Sequence, residues 1–195
     1  MKLAVPKGPL RAHQTLFATN AEILELSGLA GPTQPKFALA VATAPLEPSQ
    51  LELVGLGERK PFYTVDLPYL WGRVMSNNGV VWGSGLLHPK DWREFESIDV
   101  GSGKAVRLFA ELEQRVRGLH RELRSVEFTH RWGGPILFAR AWRPTFAQRP
   151  RSPNALVLGG YSGHGVALSV YLACWAAEVL LGRKTLPPWG AIPAY

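Results

Sequence analysis

Apolar and polar positions alternate along this chain in patterns that predict a run of strands, one amphipathic helix and one helix apolar throughout. Residues 14–20 read as a short strand ending in a polar turn, and 21–26 as a helical segment that stops at Gly28. Pro32 and Pro35 mark a crossover. The mostly apolar run 36–44 then predicts a strand buried in a sheet, ended by Pro45. Residues 48–54 suit a short helix with Glu47 or Ser49 near its start and Gly55 and Gly57 beyond its end.

The middle of the chain is β-rich. Segments 62–66, 69–75 and 80–85 predict strands, and Asn77-Asn78-Gly79 between the last two is a hairpin signal, because Asn and Gly tolerate positive φ. Residues 88–103 read as a loop in which Ser102 caps a helix beginning near Lys104. In that helix Ala105, Leu108, Phe109, Leu112, Val116 and Leu119 recur at helical spacing and form the packing face. Arg107, Glu111, Gln114, Arg115 and Arg117 form the solvated face, with Glu111–Arg115 as an i,i+4 pair. Residues 125–132 alternate as a half-buried strand, and Gly133-Gly134-Pro135 breaks it. An extended piece, 136–142, follows and ends at Arg143-Pro144. Residues 149–153 read as loop, and the tail 186–195 is too rich in Pro for a helix.

The most informative stretch is 156–181, which reads as an apolar strand, a glycine-rich turn and a long apolar helix, best placed as a buried helix. Four glycines in the seven residues 159–165 let the backbone turn sharply and approach a ligand. The first helical turn offers free amides and the positive end of the helix dipole to an anion or a polarised carbonyl. Spacing alone leaves a strand–turn–helix with no ligand equally open. The turn has neither the Gly-x-Gly-x-x-Gly order of a dinucleotide site nor the Gly-Lys-Ser/Thr ending of a P-loop.

Composition narrows the partners. With 46% hydrophobic residues and 10% aromatics, the chain can build a packed core. Its 22 basic and 15 acidic side chains give a formal charge of +7, yet the arginines are scattered from Arg11 to Arg183. No basic run and no nucleic-acid motif appears, so nucleic acid is not an expected partner. An acidic partner segment would also account for the one-sided charge. The single Cys174 excludes an internal disulfide and a cysteine-based zinc site, and its place in the apolar helix predicts a buried thiol. Residues 166–181 are short for a span of about 20 and contain Glu178, so no membrane segment is expected. No stretch at the start has the apolar core of a signal peptide, and the expected location is cytoplasmic.

Gly-Gly-Tyr-Ser-Gly-His-Gly-Val at 159–166, with Thr129-His130-Arg131-Trp132-Gly133-Gly134-Pro135 upstream, closely resembles the C-terminal part of FAD-dependent amine and amino-acid oxidases. The nearest type is the gamma-glutamylputrescine oxidoreductases. Asp66-Leu67-Pro68-Tyr69-Leu70-Trp71-Gly72-Arg73 and the Ala-Thr-Asn turn at 18–20 resemble further segments of that family. The resemblance implies an α/β (α+β) fold: the C-terminal portion of an FAD-binding Rossmann-like domain plus an antiparallel substrate-domain sheet with covering helices. It divides the chain into residues 1–35, a remnant of the FAD domain; 36–135, the substrate-binding sheet domain; and 136–195, the return to the FAD domain. It implies FAD as cofactor. It also implies a small amine or amino-acid-like substrate whose C–N bond is oxidised by hydride transfer to the flavin.

Carried residue by residue, the resemblance places Thr19, Gly134, Gly159, Gly160, Tyr161, Ser162, Gly163, His164, Gly165 and Val166 at the flavin. It places Tyr63, Tyr69, Trp71, Arg73, Trp132 and Ile136 at the substrate. Tyr63, Tyr69, Trp71 and Trp82 could form an aromatic wall for a cationic amine, or simply pack the sheet. Amino-acid oxidases of this kind often have a carboxylate-clamping Arg where Ile136 stands, so an amine is the expected substrate. Arg73, Arg140 and Arg143 remain as anion contacts or surface salt bridges. The nucleotide-binding βαβ unit, with its Gly-x-Gly-x-x-Gly turn, is absent. The chain is therefore expected to be a fragment, a truncated and inactive remnant, or a subunit whose partner chain supplies the ADP-binding half. Alone, it should leave apolar strand edges such as 37–42 exposed.

Overall fold

The structure is a computed structural model that describes residues 2–22, 24–66, 68–87, 101, 103–149 and 151–190. In order, the elements are β1 (Lys2–Val5), β2 (Gly8–Arg11), β3 (Thr15–Phe17), α1 (Leu24–Ser27), β4 (Thr33–Thr43), α2 (Pro48–Leu53), β5 (Phe62–Tyr63), β6 (Trp71–Val74) and β7 (Val80–Leu87). There follow α3 (Gly103–Leu119), a 3-10 turn (Arg121–Leu123), β8 (Phe128–Ala139), β9 (Thr145–Arg149), β10 (Ser152–Gly159) and α4 (Gly165–Leu180). The chain divides into two compact units, Phe37–Pro135 and Met1–Lys36 with Ile136–Tyr195. The β1–β2 hairpin, which turns through Gly8 at φ 114°, and strand β9 carry no clear sequence signal. The expected loop 88–103 and its Ser102 cap lie outside the described residues, apart from Gly101 and Gly103.

The unit Phe37–Pro135 is built on a five-stranded sheet in the order β5-β6-β7-β4-β8. The Asn77-Asn78-Gly79 turn joins β6 to β7 as expected: Asn78 sits at φ 66°, and Met75 N donates to Gly79 O at 2.7 Å. Trp and Gly pair reciprocally across these two strands, Trp71 facing Gly83 and Gly72 facing Trp82. A Cβ at Gly83 would overlap the Trp71 ring, and one at Gly72 would meet Phe62 Cζ at 2.6 Å. Trp82 is buried on the core side, edge-on to Phe62 with centroids 4.8 Å apart, so it does not belong to an exposed aromatic wall. Ala105, Phe109, Leu112 and Val116 of α3 join Phe37, Leu39, Val41, Val80, Trp82 and Phe128 in one core.

Several expectations are corrected here. Strand β4 is interior to its sheet, so Phe37, Leu39 and Val41 are buried, not an exposed edge. Pro35 lies inside β4, where the register with β7 has not yet begun; its first pair is Phe37 with Leu87. There the missing N–H interrupts no ladder with that strand. Gly133-Gly134-Pro135 does not break the strand, because β8 runs through it. Gly133 is needed for the close approach of β4: a Cβ would sit 2.5 Å from Phe37 Cε1 and 2.9 Å from Ala38 O. Pro135 is tolerated because β8 is the last strand of the sheet. Arg115 does not pair with Glu111 but reaches Asp66, while Glu113, almost buried, meets Arg131 Nε at 2.6 Å and Arg117 Nη1 at 3.7 Å.

The other unit holds a three-stranded sheet in the order β3-β10-β9, in which β10 runs parallel to β3 and antiparallel to β9. Of the segment expected as loop at 149–153, Arg149 ends β9 and Ser152 and Pro153 begin β10, with Arg151 at φ 59°. Phe146, Leu156 and Leu158 pack against Leu172 and Ala176 of α4. Leu168, Trp175, Val179 and Leu180 of α4, partly buried, pack against the same cluster. Cys174, expected to be buried, is exposed.

Candidate functional site

The turn after β10 is held open by its own backbone chemistry. Gly160, Ser162 and Gly163 take φ values of 68°, 53° and 88°, a left-handed region that glycine enters at no steric cost. Gly159 lies beneath Leu29, where a Cβ would come within 2.8 Å of Leu29 Cδ1. Ser162 fastens the turn to the end of β8: its N–H donates to Leu137 O, and its Oγ accepts from Ala139 N, both at 3.0 Å. Tyr161 bridges to Phe138, and burial pushes its phenol above the usual pKa of 10.0.

The helix start supplies donors. His164 N–H is taken by Tyr161 O at 2.9 Å, and its Nδ1 lies 3.1 Å from Ser162 O, which makes the imidazole part of the turn. The next three amides, of Gly165, Val166 and Ala167, have no intrahelical acceptor. Val166 is 93% exposed, and a Cβ at Gly163 would meet nothing within 4 Å.

Because β3 and β10 are parallel, with Val157 opposite Phe17, Thr19 comes to the same carboxyl edge as Gly159. Ligands of open α/β sheets bind beyond such an edge. Thr19 Oγ1 is spent within its own turn, donating to Glu22 O at 2.7 Å. Ile136 is half-buried at the point where β8 enters this unit. Arg140 Nε donates to Gly31 O at 3.0 Å. Among the described residues none of Arg73, Arg140 and Arg143 forms an ion pair.

In the unit Phe37–Pro135, Tyr63, Tyr69 and Trp71 do come together. Tyr63 pairs with Trp71 across β5 and β6 and meets Tyr69 edge-on at 6.3 Å, and all three are exposed. Arg73 shares the exposed side of β6 with Trp71. Sequence reasoning missed what positions this group. Arg115, placed on the solvated helix face, instead bonds Asp66 and Pro68 O, while Ser84 Oγ donates to Tyr69 O at 3.1 Å. Hydrogen bonds from Thr64 and the Arg115 guanidinium hold the Asp66 carboxyl below its usual value of 3.8.

Trp132 and Gly134 lie elsewhere in this unit, on β8, with β7 and β4 between them and the aromatic group. Three strand spacings amount to about 14 Å. Trp132 lines a separate open cleft of about 630 Å³ with His130, Thr129, Met75, Asn77 and Val81. Gly134, like Gly163, has open space where a Cβ would stand.

Comparison with known proteins places the fold and the family. The glycine oxidase of Geobacillus kaustophilus matches all of this chain with 49% of its own, at TM-score 0.75 and 16% identity. The L-proline dehydrogenase of P. horikoshii matches 97% of this chain with 49% of its own, at TM-score 0.73 and 18% identity. The sequence model of the DAO family, FAD dependent oxidoreductase, matches residues 4–179, and the chain belongs to that family. FAD is the family's cofactor. The curated "Probable oxidoreductase OrdL" of Rhizobium meliloti (strain 1021) is 36% identical over 76 residues, which are 39% of this chain and 17% of that protein. The chain spans about half the length of these solved structures.

The turn fits part of the cofactor. Amides of a first helical turn suit the carbonyl-bearing edge of a flavin ring, and Gly163 leaves room for close approach. The ADP half finds no Gly-x-Gly-x-x-Gly turn in this sequence. Among the described residues, no cluster of His, Cys, Asp and Glu could hold a metal ion, and no helix is long and apolar enough to cross a membrane.

Proposed function

We propose that this chain is the C-terminal, flavin-ring-facing part of an FAD-dependent oxidoreductase that oxidises the C–N bond of an amine or amino-acid-like substrate. The nucleotide-binding half is supplied by a further polypeptide segment. The reading is carried by the turn at Gly159–Gly165, which follows the carboxyl edge of the parallel β3–β10 pair and leads into the free amides of the first turn of α4. Bound FAD supplies the hydride acceptor, while the protein binds and orients. Gly165, Val166 and Ala167 hold the ring's carbonyl edge by their amides, with Gly163 and Thr19 at the same edge of the sheet. Tyr63, Tyr69 and Trp71 receive the amine, to which an aromatic face contributes about 0.5–2 kcal/mol.

The two structural neighbours named above act, by their titles, on glycine and L-proline. In this chain the apolar Ile136 stands where a carboxylate clamp is expected, which favours an amine of the gamma-glutamylputrescine type. The absent charge-assisted pair costs a free α-amino acid roughly 1.5–3 kcal/mol. A cytoplasmic setting suits the single free thiol.

The test is flavin retention by the assembled protein, read from its visible absorbance. Gly163→Val should abolish retention, because the residue sits at φ 88° and faces open space. Gly165→Ala, whose Cβ meets Tyr161 only at ordinary contact distance, should keep it. Full flavin occupancy in Gly163→Val would refute the assignment.

A further inference from the structure

We infer that Arg115 is a positioning residue that holds Tyr69 beside Tyr63 and Trp71, and so strengthens their hold on a cation although it is itself a cation; this rests on the reading just given for the three rings. Their own packing fixes little. Tyr63 is 76% exposed, and it meets Tyr69 only edge-on. The segment between the two tyrosines is closed at its ends. Thr64 N donates to Leu70 O at 2.8 Å, Leu70 N donates to Thr64 Oγ1 at 2.9 Å, and Leu70 is buried in the core. Between those ends the chain faces water, with Val65 98% exposed.

One guanidinium from α3 ties this exposed stretch to the rest of the unit. Arg115 donates to the Asp66 carboxylate and to Pro68 O, and its Nη1 lies 3.4 Å from Ser84 Oγ. Ser84, buried on β7, in turn donates to Tyr69 O at 3.1 Å. Residues 66, 68 and 69 are thereby held by a single side chain, directly or through one hydroxyl. A lone exposed ion pair contributes little to stability. Here the planar fork spans a carboxylate, a carbonyl and a hydroxyl at once, and the Arg115 side chain is only 27% exposed. Asp66 also offsets the positive charge beside the rings, so a bound ammonium meets ring faces rather than a bare cation.

Charge and positioning predict opposite signs. If Arg115 acted only through its charge, removing it would tighten a cation site, the more so because Asp66 would be left bare. If it acts by holding Tyr69, its removal weakens the site. The experiment titrates the 195-residue chain with tetramethylammonium, a cation with no N–H, and follows the probe's methyl proton shift. It also reads the Tyr63–Tyr69 ring contact as an NMR cross-peak. Arg115→Met should weaken the probe about fivefold, the effect of losing one ring face, and lose the cross-peak. The Phe62–Trp82 contact and the urea midpoint should stay those of the parent. Arg115→Lys keeps the charge without the fork and should fall between the two. Ser84→Ala removes only the relay to Tyr69 and should weaken the probe about twofold, which keeps the inference testable if Arg115→Met folds poorly. Arg107→Met takes the same charge from the exposed side of α3 and should not weaken binding.

Unchanged or tighter probe binding in Arg115→Met, a ring contact that persists there, or equal weakening by Arg107→Met overturns the inference. A different result separates it from the function it rests on. If the parent does not bind the probe while Arg115→Met still loses the ring contact, the hold on Tyr69 stands, and the amine site of the proposed function falls.

Discussion

Helices α3 and α4 are almost the same length, 17 and 16 residues, yet they meet solvent in opposite ways. On α3, Ala105, Phe109, Leu112 and Val116 are buried against a five-stranded sheet, while Arg107, Glu111 and Gln114 face water. On α4, the side away from the sheet is as apolar as the side against it. The first helix is finished by its own unit, with polar groups already placed where the core ends. The second has one face packed and another, also largely apolar, exposed. Amphipathicity marks a boundary with water on α3, whereas on α4 apolar residues such as Val166 and Val170 are exposed.

Substitutions break this contrast in a definite order. Phe109→Ala removes a fully buried ring from the α3 core and should cost about 3–5 kcal/mol, read as a lower urea midpoint. The inner line of α4 should behave similarly but less severely: Leu172→Ala should cost about 2–4 kcal/mol. Gly83→Val should cost about 1–2 kcal/mol, because Trp71, only partly buried, can swing off the strand. That movement would also shift the tryptophan fluorescence. At the small end, Val170→Ala on the outer line of α4 should change stability of the chain alone by less than about 0.5 kcal/mol. A loss comparable to that of Leu172→Ala would mean the outer face is already packed.

The charged partners of α3 give a test by pH. The Asp66 carboxyl is held below its ordinary value by Thr64 and Arg115. A group whose folded value is depressed stabilises above its unfolded value, and loses that contribution as pH falls through the folded one. Asp66 should thus titrate below 3.8 in an NMR carboxyl titration, and Arg115→Gln should return it toward that value. Because Asp66 is well exposed, the change belongs to the aromatic segment at 63–70 rather than to global stability.

Local features were legible in the sequence wherever a few neighbouring residues settle them. Asn77-Asn78-Gly79 makes its turn because those residues adopt positive φ by themselves. The α3 stripe follows from 3.6-residue spacing, and the strand–turn–helix around Gly159–Gly165 from glycine punctuation between apolar runs. The family motif added what spacing could not, since free amides at a helix start are common to many turns without ligands.

Long-range neighbours decided the rest. Gly133-Gly134-Pro135 reads as a break, yet β8 continues through it. An edge strand tolerates the proline, and β4 presses close enough to require a glycine. Arg115 reads as the partner of Glu111 one turn away, but Asp66, distant in sequence, is folded against it. Phe37 to Ala42 became the middle of a sheet because β7 and β8 close on both sides of β4. Hydrophobicity told where α4 begins and ends. Whether each of its faces is covered depends on which surfaces the fold brings to it, and only the tertiary structure holds that information.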